Sequence, residues 1–181
     1  MENKNVTVTQ LKKYLSTRTQ AELVDDILVL YKNYSDVKDY YQIQLSGDIE
    51  QVFEKYKKIV VNEFIVTGRS DFPKLRYSVA RKAISDFKKI SINPYDVIDL
   101  MLIYVEAGVE CTLEFGDIDE PFYNSLGTMY KNTLELIMKH DYLSSFDNRL
   151  TDVVHKTRRM GWGFHEELSH WYKHYVGREY S

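Results

Sequence analysis

The chain has little of what would tie it to a familiar chemistry. It carries one cysteine, Cys111, so no internal disulfide can form, and a reducing, cytoplasmic location is expected. Three Pro and eight Gly are few for 181 residues, which favours long helices over many tight turns. The longest uninterrupted apolar run, Leu100 to Val105, is far too short to span a bilayer, and the first residues have no apolar signal-peptide core. A net charge of −3 gives no general ground for binding nucleic acid or a membrane surface. Phosphate-binding glycine loops, a nucleophile elbow and cysteine-rich zinc patterns are all missing. One absence is local: no Lys or Arg occurs from Ile90 to Tyr130.

That stretch holds the element the rest is organised around. Asn93 suits an N-cap and Pro94 the first helical position. Asp96 then falls near the third position, where a carboxylate can meet free amides. At 100° per residue, Asp96, Asp99, Glu106, Glu110 and Glu114 share a stripe roughly 80° wide, and almost everything else up to Phe115 is apolar. A helix apolar over most of its circumference is central to a fold. Gly116 is its stop signal. The acids need a counter-charge, and the basic helix just before it, with Arg81, Lys82, Lys88 and Lys89, is the first candidate.

Periodicity reads as helix elsewhere too. Leu11, Tyr14 and Leu15 form one inward face, and the capping box Thr19 to Glu22 opens a helix whose apolar positions are Leu23, Val24, Ile27, Leu28, Leu30 and Tyr31. Ser35 caps a short helix, and Asp48 caps the next. The β-branched residues from Ile59 to Val66 still repeat at three and four, so that helix is expected to continue to Val66. Further helices follow at 78–90, from Pro121, at 143–160 and from Phe164 to Gly177. The expectation is an all-α fold: a single domain over 1–181, with about eight or nine helices in antiparallel hairpins, as a bundle or a solenoid-like stack.

Four segments, Leu11 to Leu15, Ala21 to Leu23, Phe115 to Leu126 and Gly161 to His165, together resemble a bacterial all-helical family known only as a domain of unknown function. The resemblance covers nearly the whole chain. It implies a helical protein and brings no activity, cofactor or catalytic residue.

Two sets of residues can carry chemistry. Asp117, Asp119 and Glu120 lie in the loop after the central helix, although the spacing fails the EF-hand template. Tyr123 follows them. Gly161 and Gly163 flank Trp162, which such a turn either aims into a groove or plugs into the core, and His165 opens the next helix. Neighbourhood of these two loops is expected, since both stand at helix junctions. On the last helix Glu167, His170 and His174 share one face, a workable divalent-metal set, with Asp152 and His155 as a weaker second. The leading expectation is a protein-interaction module without catalytic activity or cofactor, supported by fifteen Tyr. The alternative is a metal-binding protein or metal-dependent enzyme using the 115–121 acids and the late histidines.

Overall fold

The computed structural model describes residues 5–47, 49–69 and 71–180. Among them are nine α-helices, one 3-10 turn and no strand. Two capping boxes, Thr7 with Gln10 and Thr19 with Glu22, start α1 (Val8–Leu15) and α2 (Gln20–Asn33). Helix α3 (Ser35–Ser46) ends on Gly47 in the left-handed conformation. Helix α4 (Glu50–Val61) follows Ile49; the expected cap at Asp48 lies outside the described residues. Then come α5 (Tyr77–Ile90), α6 (Pro94–Phe115), α7 (Glu120–His140), α8 (Leu143–Lys156) and α9 (Phe164–Val176). Asn93 caps α6 through the Tyr95 amide, and Gly116 closes it. No helix among the described residues is long and apolar enough to cross a membrane.

Helix α6 is the centre of the core. Leu100, Leu102, Tyr104, Val105 and Val109 have no exposed surface, and α4, α5, α7 and α8 all pack against it. Gly108 admits the Leu126 side chain of α7 so closely that a Cβ there would stand 2.4 Å from its Cδ2. Asp96 does not meet the helix amides as expected: one of its oxygens is buried with no hydrogen-bond partner, and burial raises its pKa.

The counter-charge for the acid stripe comes from α8, not from α5. Arg149 donates to Glu106 at 2.7 Å through Nε and Nη2 and to Asp99 at 2.5 Å, while Lys156 donates to Glu110 at 2.7 Å. Hydrogen bonds to Glu106 and then Asp99 raise the Arg149 pKa further, so the charge is permanent. On α5, Lys82 and Lys89 are taken by Asp86 of their own helix, because i,i+3 and i,i+4 partners lie closer than a neighbouring helix.

These contacts also set direction. Arg149 reaches Asp99 and Glu106, and Lys156, further along, reaches Glu110, so α8 runs parallel to α6. Helix α9 runs parallel to α7 in constant register. Tyr123 packs on Phe164, Gly127 receives Glu167, the Lys131 ammonium sits 4.6 Å over the Trp171 ring, and the Tyr175 hydroxyl donates to Glu135 at 2.7 Å. Rungs four residues apart on α7 and three or four apart on α9 keep the same faces together over three turns. The hairpin α8–α9 therefore lies on the hairpin α6–α7, helix on like-directed helix.

Three expectations about element limits and faces are corrected. Helix α4 stops at Val61 rather than Val66, because the chain turns inward to bury Phe64 against Tyr104 and Phe122. The same turn buries Glu63, whose carboxylate takes Arg76 Nε at 2.9 Å and Nη2 at 2.7 Å. Helix α8 stops at Lys156, before a 3-10 turn at Thr157–Arg159, since the buried Thr157 hydroxyl donates to the Val154 carbonyl. The third correction is the largest. No residue of α1 or α2 is buried, so Leu11, Tyr14 and Leu15, read as inward, lie in solvent, as do the apolar positions Val24 and Leu28 of α2. This arm joins the body through α3, where Ile43 is buried and Asp39 accepts from Lys55 at 2.6 Å and from Tyr56 at 3.1 Å.

Two outcomes follow from this packing. Leu102→Ala should cost about 2–5 kcal/mol in urea unfolding, as for a fully buried leucine; a loss under ~0.5 kcal/mol would contradict the central placement of α6. Glu63 supplies the pH dependence. Hydrogen bonds from the Arg76 guanidinium hold its pKa below the ordinary value in the folded chain. The unfolded state therefore binds the proton more readily, so this stabilisation is complete above the unfolded pKa and is lost as pH falls through the lower folded one. Glu63→Gln should lower the urea midpoint at pH 7 and make little difference near pH ~2, below both values. An equal gap at both pH values would count against the pair.

Candidate functional site

The two loops singled out in the sequence meet. Asp117, in the turn between α6 and α7, accepts the Tyr123 hydroxyl at 2.8 Å and the Gly161 amide at 3.4 Å. Burial pushes the Tyr123 hydroxyl up, with the Asp117 carboxylate adding to it, so the phenol stays protonated and donates. A Cβ on Gly161 would stand 2.7 Å from Asp117 Oδ2, so close approach is what requires glycine there. Trp162 and Gly163 both take left-handed backbone, at φ 62 and 66, and the Phe164 amide closes the turn onto the Gly161 carbonyl.

The turn does not plug Trp162 into the core. That side chain is 59 % exposed, and Phe164, fully buried against Tyr123, fills the space instead. Two successive left-handed residues reverse the chain within the turn, so the aromatic after Gly163 faces inward while the one before it faces out. His165 is half-buried and tied at both nitrogens. Its Nδ1 faces Thr157 Oγ1 at 3.0 Å and the Val154 carbonyl at 3.2 Å, and its Nε2 faces the Tyr180 hydroxyl at 3.0 Å. Thr157 spends its own proton on Val154, so Nδ1 is the donor and, in the neutral ring, Nε2 accepts from Tyr180. The imidazole closes the α8–α9 junction.

The remaining acids also have local work. Asp119 caps α7 by accepting the Phe122 amide at 2.9 Å, and the Tyr77 hydroxyl bonds to it as well. Glu120 is exposed in the first turn of α7. On α9 the Glu167 carboxylate is turned onto Gly127 and accepts Trp171 Nε1 at 3.4 Å, while His170 and His174 stack on one another with ring centres 6.2 Å apart. Asp152 pairs with Lys156, and His155 lies edge-on to Tyr180. Among the described residues no three His, Cys, Asp or Glu are placed to hold a metal ion. The structure thus brings Asp117, Tyr123 and the Gly161–Trp162 turn together. It does not bring the loop acids to the histidines, or Glu167 to His170 and His174. Cys111 is buried and its thiol is pushed up to about 11 by that burial, which removes it as a nucleophile at neutral pH.

The surface that sequence reasoning missed lies on the N-terminal arm. Among the described residues twenty-two large apolar side chains stand exposed, and fourteen of them fall between Val6 and Leu45. Between α2 and α3 they line an apolar groove of about 310 Å³, formed by Ile27, Leu28, Tyr31, Tyr41 and Leu45. The signal was present as an apolar arc on each helix. Periodicity reports that such an arc wants covering and does not report which chain covers it.

Residues 6–176 match the model of a family described as a family of unknown function, DUF6155, and the chain belongs to that family. No curated protein and no solved structure matches it.

The Asp117–Gly161 contact can be tested as a pair. Gly161→Ala and Asp117→Ala should each destabilise, the second by about 1 kcal/mol for the hydroxyl and amide it strands. The double variant should lose less than the sum, since removing the carboxylate makes room for the methyl. Additivity within ~0.3 kcal/mol in a double-mutant cycle would show the loops to be independent.

Proposed function

We propose, for a member of a family whose function is unknown, that this chain is a cytoplasmic protein-interaction module that works by binding through its N-terminal arm and not by catalysis. One observation carries the reading. Helices α1 and α2 hold their apolar faces in solvent, with ten large apolar residues between 36 and 83 % exposed, and four more stand exposed beside them between Val6 and Leu45. Scattered exposed apolar residues are ordinary; a contiguous set on one arm marks an interaction surface. Its composition suits an interface as well, with Tyr14, Tyr31, Tyr34 and Tyr40 among the exposed residues. The polar residues of the Asp117–Gly161 junction are occupied with one another, which supports a structural role for that contact. A reducing location accords with the single free, buried Cys111. The reading needs no cofactor.

Affinity capture tests it. Immobilised full-length chain is exposed to an extract of its source cells, beside a Val24→Asp, Leu28→Asp variant whose circular dichroism confirms an unchanged fold. The wild type should retain one or more proteins, further copies of the chain included, that the variant loses. Retention of the same set by both would remove the arm as the binding surface and the proposal with it.

A further inference from the structure

We infer that the occupant of the arm is a second copy of this chain, with the two α2 helices antiparallel across a two-fold axis near Ile27 and Leu28. This rests on the interaction reading above and names its partner. Each α2 would lie in the α2–α3 groove of the other copy, making a four-helix bundle from two arms.

The seam comes first. Val24, Ile27, Leu28 and Tyr31 stand at i, i+3, i+4 and i+7 on one face of α2, the spacing by which one helix packs along another. All four are more than two-fifths exposed, and the groove they share with α3 is open along Tyr41 and Leu45. A second helix with the same apolar stripe fits the groove, and α2 itself is such a helix.

Charge gives the direction. Asp25 and Lys32 are seven residues apart and so lie on the same flank of that seam, about 20° from one another. In an antiparallel pair like flanks face each other, so Asp25 of one copy comes opposite Lys32 of the other, twice over by symmetry. Within one chain neither residue forms an ion pair among the described residues. A parallel arrangement would set the Asp25 and Lys32 flank against the opposite flank of the partner helix, which carries Leu23 and Leu30 and offers no charge to pair with. The polar side of α2 carries Glu22, Asp25 and Asp26, which opposes docking on an anionic lipid surface.

Area gives the scale. The chain exposes 11535 Å², whereas a compact monomer of its 21.4 kDa would expose roughly 9,100 Å². The excess is about 2,400 Å² per chain, and covering even half of it on both copies buries about 2,400 Å² in total, within the range of stable homodimers.

Sedimentation velocity of the full-length chain from about 1 to about 100 µM decides the matter. The expected species is twice 21.4 kDa, dissociating on dilution. Ile27→Asp should leave the helical spectrum unchanged and the chain monomeric. Asp25→Lys and Lys32→Asp should each weaken the dimer, on the order of 3- to 30-fold for two exposed pairs, and the double reversal should restore it. A monomer at every concentration, a dimer that survives Ile27→Asp, or single reversals without effect would each overturn the proposal. So would a monomer that floats with anionic phosphatidylserine vesicles. If the purified chain is monomeric but capture from extract still depends on Val24 and Leu28, the second copy falls and the interaction reading stands. If capture fails too, both fall.

Discussion

Helix α6 must be buried over most of its circumference while keeping a row of carboxylates, and Arg149 is the side chain that makes the two compatible. Its planar guanidinium reaches Glu106 with two donors and Asp99 with a third, which a single ammonium could not match in geometry. Asp99 and Glu106 are partly buried at the edge of that core, where a carboxylate without such a partner would destabilise the packing. The bond also sets the position of α8. Because Arg149 and Lys156 must face Asp99, Glu106 and Glu110 in order, α8 can lie on α6 only in parallel and in one register. Apolar packing of Tyr95 on Phe146, ring centres 4.7 Å apart, holds the other end of the same pairing.

From that register the meeting of the two loops follows. If α8 is parallel to α6, the hairpin that continues into α9 brings α9 parallel to α7, and the rungs from Tyr123–Phe164 to Glu135–Tyr175 keep it there. Parallel helices begin at the same end. The turn entering α7 and the turn entering α9 are therefore neighbours, and Asp117 spans the gap to the Gly161 amide. The two most distinctive motifs of the chain are thus the matching entries to two paired helices. Their unusual residues answer to that geometry: glycine where a carboxylate comes within touching distance of the backbone, and a carboxylate where a buried phenol needs an acceptor.

The arm obeys the same physics with a different outcome. Its helices are well capped, and Arg18 anchors the turn before α2 through Glu22 and Asp26. What the body does not supply is a cover for the apolar arc. Beyond α3 the chain has spent its own apolar faces on α6, and the arc of α2 remains in water. The hydrophobic effect is indifferent to whether the covering surface is intramolecular, which is the ground on which we propose the arm as an interaction element.

Local chemistry was legible in the residues alone. The start of α6 at Asn93-Pro94, the capping box at Thr19, the stops at Gly116 and Gly177 and the all-α class each depend on a few neighbouring residues and a period of 3.6, and all stand in the structure. What required the tertiary structure was every choice of partner. Ile65 and Val66 continue a helical pattern, yet the chain leaves the helix at Val61 because Phe64 gains more by burial against Tyr104. Lysines of α5 sit next in sequence to the acid stripe, yet Asp86 claims them first and Arg149, more than forty residues on, takes the acids. Trp162 is larger than Phe164, but the backbone hand of the turn decides which of them faces inward. The inward reading of Leu11 and Leu15 failed for the same reason. A period specifies a face, and only the packed fold, or a second molecule, specifies what lies against it.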